Sequence, residues 1–408
     1  MASSGRSTAP LVPLLWERLW PPGNGGRADL WVQGVSMGEV EIAATFVKAV
    51  LERRPSLPTL VTASTPAGVA LLARRFAQLP VRMRPFPLDL PFSVRRFFAA
   101  VRPKVLALVE TEIWPLVLRE AARSGTAVLL VSARLSERSV RRFGALGPLA
   151  RGVFERLTHV SARSGEDAAR FRRLGVPEER LSVDGDLKLD RPLPEEPSFA
   201  PELRRLAGGR QVVVAGSVAE EEVAPVLRAM ETLRGSGLDA LLLLAPRRPD
   251  AFESVAAAVT ARGLLLSRRS ELEPGAPPSE RVRSNQPHVF LLDSLGELAA
   301  SYRLGDVAFL GGTLVPRGGH NVLEPLRAGL PTLHGPSTAN IRETLRRAEG
   351  AVFAVDGADE LADGLGSLLR DSVRRDSARQ AAARLFREHE GAAGRAAGRA
   401  LALLDGAA

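Results

Sequence analysis

The chain has 408 residues, of which 45% are hydrophobic and 25% charged, a composition typical of a globular protein that is too long for one ordinary core. It contains no cysteine, which excludes disulfides, thiolate metal sites and cysteine nucleophiles. The formal net charge of +9 suits an anionic partner, but an aromatic content of only 5% and the lack of a nucleic-acid motif argue against nucleic acid.

Near its start the chain carries an apolar patch, residues 11–20, which Glu17 and Arg18 interrupt. The patch is too short and too charged for a secretory signal or a spanning helix. Its leucines and tryptophans could lie flat on a membrane surface, or the segment could be docked or frayed. The arginines between positions 74 and 102 cluster around Phe86, Phe92, Phe97 and Phe98; such a run is usually a solvated helix face, but it could also bind anionic lipid headgroups.

Apolar runs alternate with helical patterns along the chain, which predicts parallel sheets with helices on both faces. The predicted strands are residues 30–34, 59–62, 105–109, 127–131 and 159–162 in the first half, and 212–215, 240–245, 289–292, 307–310 and 332–333 in the second. A proline- and serine-rich stretch, 271–287, predicts a loop.

We therefore expect an α/β protein of two Rossmann-like, doubly wound domains that face each other across a central cleft, with ligands at the carboxyl ends of the strands. The proline-rich segment between the halves has the composition of a linker. This places an N-terminal domain at 1–190, the linker at 191–201 and a C-terminal domain at 202–408, whose last helix could pack back on the first domain.

In the first half, two glutamates follow predicted strands. Glu39 is expected at the start of a helix, where it could simply favour the helix macrodipole by roughly 0.3–1 kcal/mol or act as a general base on a substrate hydroxyl. Glu110 directly follows the strand 105–109 and should have a cationic or hydrogen-bonded neighbour, because an unpaired buried carboxylate is unfavourable. Glu112, two residues later, more naturally begins or caps the next helix.

Three cations also follow strands. Lys188 is one of only three lysines in the chain and lies at the domain junction, so it is either a compact charge for an anionic group or incidental. Arg247 and Arg248 end another strand, where they suit bidentate contact with phosphate unless they lie in a solvated turn.

Two turns of the second half have the character of nucleotide sites. Backbone N–H groups at Leu295, Gly296 and Glu297 begin a helix and could read the edge of a base. From 307 onward the chain reads strand, glycine pair, and then Gly318-Gly319 opening a short helix that carries Asn321 and Glu324. This pattern predicts a phosphate site, unless the glycines only relieve strain in the turn, and Glu324 could accept both hydroxyls of a ribose.

Other nucleotide and metal chemistry is not favoured by the sequence. It contains neither a GxGxxG nor a GxxxxGK motif. Of the five histidines only His320 lies in a motif, and no pair has metal-ligand spacing, so we expect no metal and no cofactor.

Seven blocks, in order along the chain, resemble the bacterial transferases that attach 3-deoxy-D-manno-oct-2-ulosonic acid (Kdo) to lipid A. The blocks are VSMGE at 35–39, ETEIWP at 110–115, SARLSERS at 132–139, GDLKLD at 185–190, APRRP at 245–249, DSLGEL at 293–298 and GGTLVPRGGHNVLEPL at 311–326.

The resemblance implies a GT-B fold and an inverting transfer of Kdo from CMP-Kdo to a glucosamine hydroxyl of a lipid A precursor, in lipopolysaccharide biosynthesis at the cytoplasmic face of the inner membrane. Glu39 then corresponds to the base, and Glu110 and Lys188 to groups that stabilise the transition state. The implied nucleotide site comprises Ser217, Arg247, Arg248, Leu295, Gly296, Glu297, Gly318, Gly319, Asn321, Val322, Leu323 and Glu324.

The chain departs from the family pattern in places. Gln33 stands where the family has histidine, Val322 stands where it has proline, and the block AGSTHxGEE reads AGSVAEEE at 215–222, with Gly216 and Ser217 retained. Two alternatives therefore remain: a GT-B nucleotide-sugar epimerase that needs no lipid, and a non-catalytic relative that binds lipid or nucleotide.

Overall fold

The computed structural model describes residues 11–23, 26–191, 193–272 and 288–406. These form two compact units: one comprises the described residues up to Arg191 together with those from His389 onward, and the other comprises the residues between them. In the described ranges no helix has the length and apolar character that crossing a membrane requires. Most of the loop expected at 271–287 lies outside the described residues.

The first unit is built on seven parallel strands. They are β1 (Leu30–Gln33), β2 (Thr59–Ala63), β3 (Val81–Pro85), β4 (Val105–Val109), β5 (Ala127–Ala133), β6 (His159–Ala162) and β7 (Leu181–Val183), in the order β3-β2-β1-β4-β5-β6-β7. Alternate residues of a strand enter different cores: Leu30 and Val32 face one cluster and Trp31 the other. The central strands are buried throughout, as expected for a parallel sheet covered on both faces.

In the described residues up to Arg191, eight helices accompany this sheet. They are α1 (Leu11–Leu19), α2 (Met37–Arg53), α3 (Pro66–Arg75), α4 (Pro91–Val101), α5 (Pro115–Ser124), α6 (Glu137–Ala145), α7 (Pro148–Phe154) and α8 (Gly165–Arg173). Four of them begin at a proline, whose fixed φ suits the first helical position. The helix expected from Glu39 begins two residues earlier, at Met37, because Ser36 is its N-cap.

The second unit repeats the design. Its strands are β8 (Val212–Val218), β9 (Leu241–Pro246), β10 (Leu266–Arg268), β11 (Val289–Leu291), β12 (Val307–Leu310), β13 (Thr332–His334) and β14 (Val352–Ala354), in the order β10-β11-β9-β8-β12-β13-β14. Its helices are α9 (Ala200–Ala207), α10 (Glu220–Gly235), α11 (Phe252–Ala261), α12 (Leu298–Ser301), α13 (Leu323–Arg327), α14 (Arg342–Arg347), α15 (Gly357–Arg370) and α16 (Ser372–Arg387).

The last helix, α17 (Ala392–Leu404), belongs to the first unit. Its buried face is almost entirely alanine, and these small side chains allow α17 to pack closely in the same core as α2. The Asp190 carboxylate accepts hydrogen bonds from the N–H groups of Gly391 and Ala393, both at 2.7 Å, and so fixes the start of the helix.

The expected α/β class, with two parallel Rossmann-like sheets, is confirmed. Three edge strands, β3, β10 and β14, were not predicted. Each is short or polar: β3 alternates arginines with apolar residues, and an edge strand need not be apolar on both faces.

Candidate active site

Three non-glycine residues at strand ends have a positive φ. Glu110 (φ 61°) follows β4, while Ser132 (φ 53°) in β5 and Ser217 (φ 55°) in β8 lie where the parallel register shifts. This backbone conformation costs on the order of 1–3 kcal/mol for a non-glycine residue and tends to cluster at functional sites. The three positions therefore mark the carboxyl ends of both sheets as candidate sites.

Glu39 lies in the first turn of α2 and is half-buried. Its Oε2 accepts hydrogen bonds from the Ser36 backbone N–H, at 2.6 Å, and from the Ser36 hydroxyl. Gly34 allows the end of β1 to approach this turn, because a Cβ there would lie 2.9 Å from the Glu39 carbonyl carbon. Oε1 of Glu39 has no hydrogen-bond partner among the described residues, so one oxygen is available to a ligand.

Glu110 is paired with two cations. Its Oε1 lies 2.8 Å from Lys188 Nζ, and its Oε2 lies 2.8 Å from Nε of Arg134. The side chain of Glu110 is only 9% exposed, whereas those of Lys188 and Arg134 are 40% and 48% exposed. The cationic neighbour expected for this carboxylate is thus present twice, and Arg134 was not singled out from the sequence.

The loop that carries Lys188 is held by backbone contacts. The Ser132 hydroxyl accepts a hydrogen bond from the N–H of Leu187 at 3.3 Å. The N–H of Lys188 donates to Asp186 Oδ1 at 3.0 Å, and the N–H of Asp186 donates to His389 Nδ1 at 3.1 Å. Because these bonds fix the loop, Lys188 approaches Glu110 from a rigid support.

Glu112 does not cap a helix, contrary to expectation. Helix α5 begins at Pro115 with Trp114 as its N-cap residue. Partial burial, followed by the negative charge of Glu39, raises the pKa of Glu112 to about 7, and Glu110 adds a smaller effect in the same direction. Glu112 therefore belongs to a cluster of three carboxylates that share one strand-end region, and it titrates near neutrality.

In the second unit a buried carboxylate organises the glycine loop after β12. Glu222 is completely buried. Its Oε2 accepts from the N–H groups of Gly312 (2.6 Å) and Ala219 (2.9 Å), and its Oε1 from those of Thr313 (2.9 Å) and Leu314 (2.8 Å). Sequence reasoning missed this role, although three glutamates at a helix start after a strand were a visible signal.

Gly318 and Gly319 shape the loop. Both have positive φ, 80° and 82°. The Gly318 N–H donates to the Ser337 hydroxyl at 2.9 Å, and that of Gly319 donates to the Gly312 carbonyl at 2.8 Å. A Cβ at Gly318 would lie 2.6 Å from Asn340 Nδ2. These two amides are therefore hydrogen-bonded within the loop, and an anion would have to be held by other N–H groups.

The helix expected to carry Asn321 begins later and is short. α13 starts at Leu323 and has five residues, so its dipole is small. Asn321 Oδ1 accepts from the Leu323 N–H at 3.2 Å, and Asn321 Nδ2 donates to Glu324 Oε1 at 2.9 Å. Within the described residues, the amides of His320, Asn321 and Val322 have no hydrogen-bond partner; Asn321 is exposed, whereas Val322 is buried.

Arg247 and Arg248 have different surroundings. Arg248 pairs with both carboxylate oxygens of Asp250, with Nε at 3.0 Å from Oδ1. Arg247 is exposed and has no ion-pair partner among the described residues. Burial lowers the pKa of His320, and the positive charge of the nearby Arg247 lowers it further. The imidazole is therefore neutral at pH 7.

In the turn at Leu295, Gly296 and Glu297 the one charged side chain is already paired. Leu295 is 76% exposed, and Gly296 has a φ of 87°. The Glu297 carboxylate accepts from Arg269 Nε at 3.0 Å and from the Ser294 hydroxyl. Since Glu297 is committed to Arg269, base recognition by this turn would fall to its backbone.

These elements converge on the bulge at Gly216 and Ser217. A Cβ at Gly216 would lie 1.8 Å from the hydroxyl oxygen of the buried Tyr302, and one at Gly311 would lie 2.4 Å from the Ser217 carbonyl oxygen. Burial, and then the charge of Glu324, raises the pKa of Tyr302. The N–H of Arg247 donates to the Val218 carbonyl at 2.9 Å, beside the same bulge.

Comparison with known proteins identifies the family. Residues 14–191 match the family model described as 3-Deoxy-D-manno-octulosonic-acid transferase (kdotransferase). The chain is 34% identical over 420 residues to the 3-deoxy-D-manno-octulosonic acid transferase of Bordetella pertussis, an alignment that covers 95% of both chains. The chain belongs to the Kdo transferase family. A second member, from Haemophilus influenzae, is 31% identical over 377 residues, 91% of this chain and 85% of the relative.

As a member of the Kdo transferase family, the chain is a glycosyltransferase. The putative UDP-N-acetylglucosamine 2-epimerase from Listeria monocytogenes has a similar structure, with a TM-score of 0.57 over 93% of this chain and 96% of the epimerase. At 14% identity this similarity concerns the fold alone.

Three of the departures from the Kdo transferase pattern, Gln33, Ala219 and Val322, lie at buried positions. Gln33 is completely buried in β1, where its Nε2 donates to the Ser64 hydroxyl at 2.9 Å and its Oε1 accepts from the Thr62 hydroxyl. Val322 is buried, and Ala219 is the N-cap residue of α10. Their side chains are apolar or already hydrogen-bonded.

Proposed function

We propose that this protein transfers Kdo from CMP-Kdo to a glucosamine hydroxyl of a lipid A precursor, with inversion at the anomeric carbon, as a step of lipopolysaccharide biosynthesis. The observation that carries the proposal is 34% identity to a Kdo transferase along 95% of the chain. The retained carboxylates and cations at the strand ends of both units support it.

In the proposed reaction Glu39 is the general base. Its Oε1 takes the proton from the acceptor hydroxyl as the hydroxyl oxygen attacks the anomeric carbon of Kdo. The bond from that carbon to the phosphate oxygen of CMP breaks, and its electron pair leaves with CMP. The hydrogen bonds from Ser36 to the other oxygen of Glu39 hold the carboxylate in one orientation.

Lys188 and Glu110 have different parts in this proposal. Negative charge develops on the departing phosphate, and a fixed cation such as Lys188 stabilises it. Glu110 is a carboxylate with both oxygens already paired, so it cannot itself stabilise negative charge. We assign to it the positioning of Lys188.

The nucleotide is assigned to the second unit. We assign the phosphate to Arg247 and the amides of residues 320–322, with Arg248 in a secondary role because of its pairing with Asp250. Asn321 and Glu324, joined by a hydrogen bond, suit the ribose hydroxyls. The turn at 295–297 suits the edge of the base. Ser217 lies in the bulge of β8, and Leu323 is the first residue of α13. Gly318 and Gly319 shape the loop that leads to this helix.

We also propose peripheral attachment to the cytoplasmic face of the inner membrane through the first unit. Trp16, Trp20 and Phe92 are 63%, 56% and 46% exposed, and the guanidinium of Arg96 lies 4.8 Å from the ring centroid of Trp20. Aromatic side chains beside cations suit the interface of an anionic bilayer. Replacing both tryptophans by serine should reduce co-sedimentation with anionic vesicles, whereas Leu149→Ser, at a site that is 77% exposed, should not.

The transfer is tested by incubating the purified chain with CMP-Kdo and a lipid A precursor. We expect release of CMP and a product heavier than the acceptor by one or more Kdo residues. No CMP release with an acceptor present would contradict the proposal. Turnover of a UDP-sugar without any acceptor would instead identify an epimerase.

A further inference from the structure

Arg134 lies one residue beyond β5 and shares the Glu110 carboxylate with Lys188. The ion pair is formed through Nε of Arg134, which lies 2.8 Å from Glu110 Oε2. Among the described residues its two terminal nitrogens have no hydrogen-bond partner, and the side chain is 48% exposed. A guanidinium held in this way keeps its two terminal N–H groups free to form a fork on a carboxylate or phosphate.

Two cations share the Glu110 carboxylate, so these three side chains together carry a net charge of +1. Glu39 and Glu112 lie in the same strand-end region and add negative charge nearby. The buried Glu110 carboxylate needs a partner, and Lys188, which donates to it at 2.8 Å, supplies one. Arg134 is 48% exposed, and the ion pair of such an exposed cation usually contributes less than about 1 kcal/mol, so the burial of Glu110 alone does not explain the second cation.

Both cations are supported by the backbone as well as by Glu110. The Thr111 hydroxyl donates to the carbonyl of Arg134, and the Ser132 hydroxyl accepts from the N–H of Leu187, next to Lys188. Ser132 lies in the bulge of β5, two residues before Arg134. The end of β5 therefore fixes Arg134 and the Lys188 loop together, as a site for a charged ligand requires.

We propose that Arg134 is a further catalytic residue, which forms with Lys188 a two-cation site, held by Glu110, for an anionic oxygen group of the substrates. This inference rests on the proposed Kdo transfer. The anionic group has two possible sources: the carboxylate or phosphate of the donor, and a phosphate of the acceptor. Arg134 makes and breaks no covalent bond; it binds the anion and stabilises charge that grows on it.

The test compares Arg134→Gln, Arg134→Lys and a matched control, Arg123→Gln, in the full chain. Glu120, the partner of Arg123, is also 9% exposed and has two arginines nearby, Arg123 at 2.8 Å and Arg95 at 4.0 Å. Each glutamine variant therefore removes one cation from an equally buried carboxylate.

We expect Arg134→Gln to lower kcat/KM by about 100-fold or more, as loss of one transition-state donor does. Arg134→Lys should recover part of that loss, because it keeps the charge and loses the fork. Arg123→Gln should turn over at the wild-type rate, and the two glutamine variants should unfold at similar temperatures.

An Arg134→Gln enzyme within about threefold of wild-type kcat/KM would overturn the inference and leave the proposed transfer intact. A wild-type chain that forms no product would overturn both. An acceptor without phosphate distinguishes the sources. If the penalty of Arg134→Gln disappears with it, the anion is the acceptor's phosphate; if the penalty persists, the anion belongs to the donor.

Discussion

Glu110 in the first unit and Glu222 in the second are both buried carboxylates next to strand ends, but Glu110 pairs with side chains and Glu222 with backbone N–H groups. Glu110 accepts a hydrogen bond from Lys188 and forms an ion pair with Arg134, and both cations remain partly exposed. Glu222 accepts from four backbone N–H groups and is itself out of contact with solvent.

The difference shows two uses of one chemical group. A carboxylate that pairs with cationic side chains determines where their positive charge lies. Its loss should therefore affect the reaction rate more than the stability of the fold. A carboxylate that holds backbone sets the shape of a loop, and its loss should affect stability first, because buried donors lose their acceptor. Substitutions at each site can separate these two effects.

The largest effect on chemistry is expected from Glu110→Gln. The amide keeps the shape of the side chain but no longer attracts Lys188 and Arg134, so kcat should fall by about 100- to 1,000-fold. Steady-state kinetics and thermal unfolding measure the two quantities. Glu120→Gln, at the other carboxylate with 9% exposure, is the control. A Glu110→Gln enzyme with wild-type kcat would remove the distinction between the two carboxylates.

Glu222→Gln should act on stability. One oxygen becomes an NH₂ group that faces two backbone N–H donors, and these buried groups lose their partners. We expect the free energy of unfolding to fall by about 2–4 kcal/mol in denaturant titrations. Glu221→Gln, whose side chain is 56% exposed and paired with Arg317, should change it little. Equal stability of the two variants would show that the loop holds its shape without Glu222.

A smaller effect should separate Arg247 from Arg248. Since Arg247 has no ion-pair partner in the described residues, Arg247→Gln should raise the KM for CMP-Kdo about tenfold or more through loss of a charged contact to phosphate. Arg248→Gln should raise it no more than about threefold, because Asp250 already holds that guanidinium. A larger effect at Arg248 would reverse the assignment of the phosphate contact.

The smallest expected effect concerns Glu112 and pH. Burial and then Glu39 raise its pKa from 4.5 to about 7, so the folded protein binds this proton more tightly than the unfolded chain. Its contribution to stability is complete below about pH 4.5 and is lost as pH rises through 7; solvent screening limits it to less than about 2 kcal/mol. Glu112→Gln should remove this part of the pH dependence in unfolding titrations between pH 4 and 8. An unchanged profile would contradict the shift.

The sequence could identify side chains that follow buried strands, because the carboxyl ends of parallel strands meet at one edge of a sheet. Glu39, Glu110, Lys188 and Arg247 were found in this way. Arg134 was not found, because its contact with Glu110 depends on the pairing of β4 with β5 and on a bulge at Ser132. The sequence has no glycine at Ser132 that would indicate a bulge there. Strand order and bulges are set by tertiary packing.

The glycine loop shows a different limit of sequence reasoning. The glycine pair predicts an anion site, and the structure adds that the amides of Gly318 and Gly319 are themselves hydrogen-bonded within the loop. Local sequence indicates that a turn can approach a ligand; it does not show which N–H groups the turn uses for itself. The role of Glu222 was hidden for the same reason, since its four partners come from two separate segments.

Turnover by Glu39→Gln tests the proposed chemistry most directly. Glutamine at this helix position can still accept the hydrogen bond from the Ser36 N–H, so the start of α2 is preserved while the base is removed. We expect Kdo transfer to fall by about 100- to 10,000-fold, with the free energy of unfolding unchanged. Transfer at the wild-type rate by this variant would contradict the assignment of Glu39 as the base.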